Sequence, residues 1–241
     1  MTSDSAVRAT PGVERMTVTR RAVEQIKAMI ADGTLRPGQR LPTERDLAAG
    51  MGLSRSSMRE AIRVLTTLGV LEARHGAGVY VTELHPRGLL EPFSVLAEVG
   101  RGPTLLEMLQ VRRIVEPAAA ALAAIRATDA QLAELAALLQ EDGHGCGAGQ
   151  TEAGAAFHRA VAALAGNATL AALVDGLSSP ALGARLGRGQ QEEEWTARLC
   201  EDHHRIHRAL LARDPDAAKA AATLHVLQLE EWLHSRVSDL R

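Results

Sequence analysis

Residues 41–81 read LPTERDLAAGMGLSRSSMREAIRVLTTLGVLEARHGAGVYV, and the punctuation of this stretch decides the fold of the N-terminal part of the chain. Pro42 and Thr43 open a short helix in which Thr43 is placed to cap, Asp46 follows in the first turn, and Leu47 and Ala48 face inward until Gly50. Gly52-Leu53 makes a tight turn. Ser54 then caps a longer helix that carries Met58, Ala61, Ile62, Leu65 and Leu68 on one side and stops at Gly69. Beyond it, VLEARHGAGVYV reads as two extended segments around the hairpin tip His75-Gly76-Ala77-Gly78. Upstream, Val23, Ile26, Met29 and Ile30 recur at helical spacing, and Asp32-Gly33 followed by Pro37-Gly38 ends that helix.

Two short helices joined by a glycine-containing turn, with a hairpin behind them, form a winged helix-turn-helix. The second helix of such a pair enters the major groove of double-stranded DNA with its N-terminal residues against base edges. Those residues are Ser54, Arg55, Ser56, Ser57 and Arg59. Arg55 and Arg59 lie one helical turn apart, away from the apolar stripe, where guanidinium groups reach guanine edges or phosphates. A single surface arginine more often does no more than solvate a helix; the ordered set of cap, turn, arginine-bearing helix and glycine hairpin is what points to DNA. Charge agrees with this reading. Up to Thr82 the chain has 12 Lys and Arg against 8 Asp and Glu, and beyond it 15 against 21, so a basic head is joined to an acidic body.

These motifs, LPTER, SRSSMREA, the LxxLG turn and the RHGxG wing, resemble the DNA-binding domain of GntR-family regulators over about residues 16–82. The resemblance implies DNA contacts from Arg45, Arg55 and Arg59 and from the wing tip at His75 and Gly76. Ala77 stands where the family often has Lys, which removes one phosphate contact.

A chain of 241 residues with 46% hydrophobic content supports two domains. No segment has the ~20 apolar residues of a membrane span, and MTSDSAVRAT lacks the apolar core of a secretory signal, so a cytoplasmic protein is expected. Aromatic residues make up only 2% of the chain, too few for a single-strand stacking platform. Cys146 and Cys200 show no CxxC or zinc-ribbon spacing and are expected to be unpaired thiols.

From residue 104 every periodic segment is helical and alanine-rich, with starts at Thr128-Asp129, Gly166-Asn167 and Asp214-Pro215. Loops are expected at 143–149 and 178–190, and Pro117 is expected to kink its helix. The fold expected is mainly α: a winged helix-turn-helix over 14–82, a linker with a short helix over 83–103, and an all-α bundle of six or seven helices over 104–238 for effector binding and dimerisation.

His158, His203 and His225 each fall on a helix pattern beside apolar neighbours, and spacing alone does not show that they converge. The segments VRRIVEPAAAALAAIRAT, AAFHRAVAALAGNATL and HHRIHRALLARDPDAAKAAATLH resemble the FCD effector domain of the FadR-type branch. In that branch an Asp and three histidines hold a divalent metal. His158, His203 and His225 match the histidines, whereas Gly154 stands at the Asp position. Three neutral imidazoles suit Zn²⁺ or Ni²⁺ and offer less to harder cations. The alternative is a metal-free, histidine-lined pocket that takes the effector directly. Glu152, His204 and His207 are further ligand options. Arg112, in the segment resembling the family's RxxLE motif, is a candidate clamp for an effector carboxylate, or else an internal ion-pair partner of Glu116.

The resulting expectation is a ligand-responsive transcription regulator, a repressor rather than an activator, acting as a homodimer on a two-fold symmetric operator and sensing a small carboxylate. A regulator that senses the metal itself, or that uses its body only to dimerise, is the nearer alternative. A three-histidine metalloenzyme is the remote one, because no residue is evidently placed as nucleophile or general base.

Overall fold

The computed structural model describes residues 11–90, 95, 99–140, 150–178 and 192–238, and the chain divides into two compact units, one ending at Leu89 and one beginning at Leu90.

The first unit contains α1 (Pro11–Ala31), α2 (Glu44–Met51), α3 (Arg55–Thr67), β1 (Leu71–Arg74) and β2 (Gly78–Val81). The caps fall where the sequence places them. Thr43 Oγ1 accepts the Asp46 N–H at 3.2 Å, and Ser54 Oγ accepts the Ser57 N–H at 3.1 Å. Gly52 ends α2 in the left-handed region at φ 63°, where a side chain is strained, and its N–H returns to Ala48 and Ala49. The two strands pair antiparallel, Leu71 opposite Val81 and Arg74 opposite Gly78. α1, α2, α3 and the sheet enclose one core of Ala22, Ile26, Leu35, Leu41, Leu47, Ala48, Met58, Ala61, Ile62, Leu65, Leu71 and Val81. One feature escapes the sequence reading. The segment after Pro37 lies along β2, with Gly38 N–H to Val81, Leu41 N–H to Val79 and Val81 N–H to Gln39, each at 2.8–2.9 Å. It covers the free edge of the hairpin and gives the wing a third chain to rest on.

A short helix, α4 (Pro86–Leu90), follows the wing. Residues 91–94 and 96–98 of the linker, which was expected to hold a short helix, lie outside the described residues. The second unit holds six helices among the described residues: α5 (Gly102–Arg126), α6 (Asp129–Gln140), α7 (Gln150–Leu164), α8 (Ala168–Leu177), α9 (Glu192–Leu211) and α10 (Pro215–Ser238). α5 continues through Pro117 as one helix. α5 and α10 form the most extensive packing; α9 lies against both, and α7 and α8 cover the other side of α5. The core between them is built on alanines of α5 and α10 (Ala120, Ala123, Ala124, Ala218, Ala221, Ala222) with Phe157, Val161, Ile206 and Leu210 filling the wider gaps. Small side chains let helix axes approach closely, which brings residues of α5, α7, α9 and α10 within reach of one another. Asn167 caps α8 through the Thr169 and Leu170 N–H groups, and Asp214 Oδ1 caps α10 through Asp216 and Ala217. The stretch 143–149 and residues 179–190 of the second expected loop lie outside the described residues.

Two expectations need correction. Cys200 is disulfide-bonded rather than a free thiol; pairing depends on the separation of two sulfurs in space, which spacing along the chain does not reveal. Ser57, expected among the DNA-contacting residues, is buried, because its place on the first turn of α3 turns it toward the core beside Met58.

Candidate DNA-contact face and buried histidine centre

On the first unit, Ser54, Arg55, Ser56 and Arg59 are exposed at the start of α3. The hydroxyls of Ser56 and Ser57 both lie 2.9 Å from Ser54 Oγ, so the serines rigidify the cap while Arg55 projects from it. Arg59 is oriented by Glu44 of α2, Nε to Oε2 3.0 Å, yet 71% of its side chain remains accessible. Arg45, equally open, is 3.5 Å from Asp46. Exposed pairs of this kind hold a side chain loosely and exchange readily for a phosphate. At the wing tip His75 and Gly76 are exposed, and Gly76 has φ 69°.

The wing also carries two arginines that motif reading did not single out. Arg74 lies over the Tyr80 ring at 4.2 Å and is paired with Glu72. Arg40 runs across Gly78, where φ is +110° and a Cβ would sit 2.8 Å from the Arg40 Nε. The positive φ favours glycine at this position, and its bare Cα leaves room for the guanidinium to lie across it. Only the pairing of residue 40 with β2 places Arg40 on the wing, and that pairing leaves no local sequence signal.

In the second unit His158 of α7, His203 of α9 and His225 of α10 converge. His158 Nε2 is 3.3 Å from His203 Nε2 and 3.2 Å from His225 Nε2. All three side chains are buried, and Phe157 stacks on His203 with ring centroids 4.5 Å apart. Burial, then the neighbouring imidazoles His225 and His158, hold His203 well below the free-imidazole value. Burial likewise lowers His225 to about 4, against the facing Asp202 carboxylate, which favours the charged ring and acts the other way. His203 and His225 are thus neutral near pH 7, each with one nitrogen lone pair.

Which nitrogen carries the proton follows from the outer contacts. His158 Nδ1 is 3.2 Å from Glu116 Oε2, and His225 Nδ1 faces Asp202 Oδ2 at 3.7 Å. A proton on Nδ1 in both leaves the Nε2 lone pairs turned toward the centre. Lone pairs that close repel unless a proton or cation lies between them. Two ligands on one tetrahedral ion at about 2.0–2.1 Å are about 3.3 Å apart, the spacing seen here. The donor set, with two of its three nitrogen pairs at this spacing and all within 4.8 Å, therefore fits a divalent ion such as Zn²⁺.

The other ligand options fall away or are not described. His207 Nε2 donates to the Leu132 carbonyl at 3.1 Å, and His204 is exposed. The side chain of Glu152 lies outside the described residues. At Gly154 an added Cβ would meet only His203 Cε1, at 3.7 Å, so space is left on that side of the centre.

Arg112 is not an open clamp. Its Nε donates to Glu116 Oε1 at 2.5 Å, and both side chains are buried. Ser178 Oγ donates to the same oxygen at 3.1 Å. Although burial opposes a charged carboxyl here, the Arg112 guanidinium and His158 outweigh it and hold Glu116 well below the usual carboxylate range. The free space against Glu116 and His158 is only ≈10 Å³, about one water, so a carboxylate metabolite enters there only if packing shifts. Glu116 and Asp202 were not expected as site residues. Glu116 was legible as an Arg112 partner one turn away, but its bond to His158 joins two helices and has no sequence signature.

Comparison with known proteins agrees with both halves. Residues 18–81 match the bacterial regulatory proteins of the gntR family, and residues 107–228 match the FCD domain. The chain is 31% identical over 211 residues to the HTH-type transcriptional regulator LutR of Bacillus subtilis, spanning 85% of this chain and 96% of that protein. It is 30% identical to the Exu regulon transcriptional regulator of Escherichia coli, over 93% of this chain and 89% of the relative. A solved GntR structure from Streptococcus agalactiae, 24% identical, superposes with a TM-score of 0.60 over 88% of this chain and 99% of its own. The chain belongs to the GntR family of bacterial regulatory proteins, as a transcription regulator that carries an FCD domain.

Proposed function

We propose that this regulator binds a two-fold symmetric operator as a homodimer, mainly as a repressor, and that its helical body controls the binding through a divalent metal and a small carboxylate effector. In this reading residues 14–82 contact DNA, 83–103 connect, and 104–238 bind effector and dimerise. Arg45, Arg55, Arg59, Ser54, Ser56, His75 and Gly76 form the DNA face; Ser57 serves the cap. His158, His203 and His225 hold the metal, which when bound supplies a Lewis-acidic position for an effector oxygen. The observation that carries the reading is the convergence of three buried imidazoles from three helices in a chain that also carries a winged helix-turn-helix.

The chain's own residues suggest how a signal arises. Arg112 is held by Glu116, so an incoming carboxylate competes with Glu116 for the guanidinium while a second oxygen approaches the space beside Gly154. Either event shifts α5 against α7, α9 and α10, and the state with the better ligand contacts is populated. A second reading, in which the metal itself is the signal, is favoured by one observation: Arg112 and Glu116 already satisfy each other. Catalysis is not part of either reading.

Purified protein titrated against its own upstream DNA is expected to bind selectively, with affinity falling steeply between low and physiological salt as phosphate counterions are released. Arg55→Ala is expected to weaken binding by about 1–3 kcal/mol and relax sequence preference, as loss of a base-edge contact does. Salt-insensitive binding, or Arg55→Ala indistinguishable from wild type, contradicts the DNA face described.

Elemental analysis of protein purified without chelator is expected to find close to one equivalent of Zn²⁺ or a similar divalent metal per chain, and His203→Ala is expected to lose it. Equal metal content in the two proteins contradicts the three-histidine assignment.

Acidity gives a separate check. Because His203 and His225 titrate below 6.5 in the folded chain, His225 at about 4, the unfolded chain takes up more protons in that window. The stability of chelated protein should therefore be fully present above about pH 6.5 and fall as the pH drops toward 4. A melting temperature flat across that range, measured by circular dichroism in chelator, argues that the imidazoles are not buried neutral.

A further inference from the structure

We infer that Glu116 and Asp202 are positioning residues of the three-histidine centre, supplying from the outer sphere the charge and the proton placement that the imidazoles lack. The inference rests on the metal reading above and concerns a different question, namely what makes three neutral rings hold a dication in an apolar bundle.

The geometry begins with charge. His158, His203 and His225 bring none, and a buried divalent ion without counter-charge meets a large desolvation penalty. Beside these rings, two buried carboxylates face ligand nitrogens. Glu116 sends Oε2 to His158 Nδ1 at 3.2 Å and uses Oε1 for Arg112 and Ser178. Every strong contact of this carboxylate is internal, so its orientation toward His158 is fixed before any metal arrives. Asp202, side chain 3% exposed, is anchored through Oδ1 by Arg205 at 2.6 Å. Its Oδ2 and His225 Nδ1 are both buried without a hydrogen-bond partner, and they face one another at 3.7 Å. Two buried unpaired atoms of complementary type at that distance are natural partners: a small ring rotation pairs them and commits His225 Nε2 to the centre.

The two arms are alike in chemistry and opposite in place. Glu116 reaches the centre from α5 through the α7 histidine, and Asp202 from α9 through the α10 histidine. Each carboxylate makes its imidazole a stronger donor and fixes the tautomer that offers Nε2. Each is also tied to an arginine, Arg112 or Arg205, which moderates the carboxylate's own charge. His203, without a carboxylate of its own, is held by the Phe157 face instead.

The test uses full-length protein and Co²⁺ alone, whose visible spectrum reports ligand number and geometry. Wild type is expected to bind Co²⁺ with a spectrum that His158→Ala changes. Glu116→Gln keeps the shape and one acceptor oxygen but not the charge; it should weaken Co²⁺ binding by about 10- to 100-fold, with partial recovery in Glu116→Asp. Asp202→Asn, whose anchor Arg205 retains contact with water, should weaken binding over the same range and serves if burial of an unpaired Arg112 unfolds the first variant. Binding by folded Glu116→Gln and Asp202→Asn within twofold of wild type overturns the inference while leaving the metal reading intact. Wild-type protein that holds no Co²⁺ overturns both.

Discussion

Three imidazole nitrogens turned toward one another inside a helical bundle are a constraint that the surrounding structure has to meet. Near pH 7 burial keeps His203 and His225 uncharged, so their Nε2 atoms present lone pairs across 3.2–3.3 Å to His158. Without an ion, the single His158 Nε2 lone pair can accept a proton from only one of the two facing rings, so the three nitrogens cannot all be satisfied by one another. The arrangement is stable when an ion occupies the centre or when the packing that imposes it is otherwise strong. Here the packing is strong. Alanines line the contact of α5 with α10, and the wide side chains of Phe157, Ile206 and Leu210 close the gaps around the rings.

The second element the account depends on is Glu116. Its carboxylate joins Arg112, Ser178 and His158, so α5, the residue that follows α8, and α7 share one charged node in an apolar interior. Breaking such a node by removing one partner leaves an uncompensated buried charge, which costs several kcal/mol. In the proposed reading a ligand carboxylate competes for Arg112 while Glu116 keeps its contacts with Ser178 and His158.

Much of this was legible in the sequence, for reasons that differ from part to part. The winged helix was readable because its signals are local: Thr43 and Ser54 cap at their own helices, Gly52 turns, and the apolar stripe from Met58 to Leu65 repeats with the helix. The third chain along the wing was not, since the pairing of Arg40 with Tyr80 depends on a chain reversal at Pro37-Gly38 whose landing place has no local cue. The histidines were candidates through family resemblance, and only the bundle brings them together. Arg112 and Glu116 were readable as a pair one turn apart, but the third member of the node, His158, lies on another helix. Ser57 was misplaced because a polar residue among four at a helix start looks exposed, although helical rotation turns it beside Met58. The disulfide at Cys200 joins residues that spacing does not mark.

The central claim is that the histidine centre and the DNA face are coupled, and coupling is reciprocal. Its most direct test is a paired measurement: operator affinity with the protein loaded with Zn²⁺ and with it chelated, and Zn²⁺ affinity with and without saturating operator. The account predicts that both affinities change, by the same factor, and that the change vanishes in His203→Ala. Operator binding identical in loaded and chelated protein, with Zn²⁺ affinity indifferent to DNA, would contradict it.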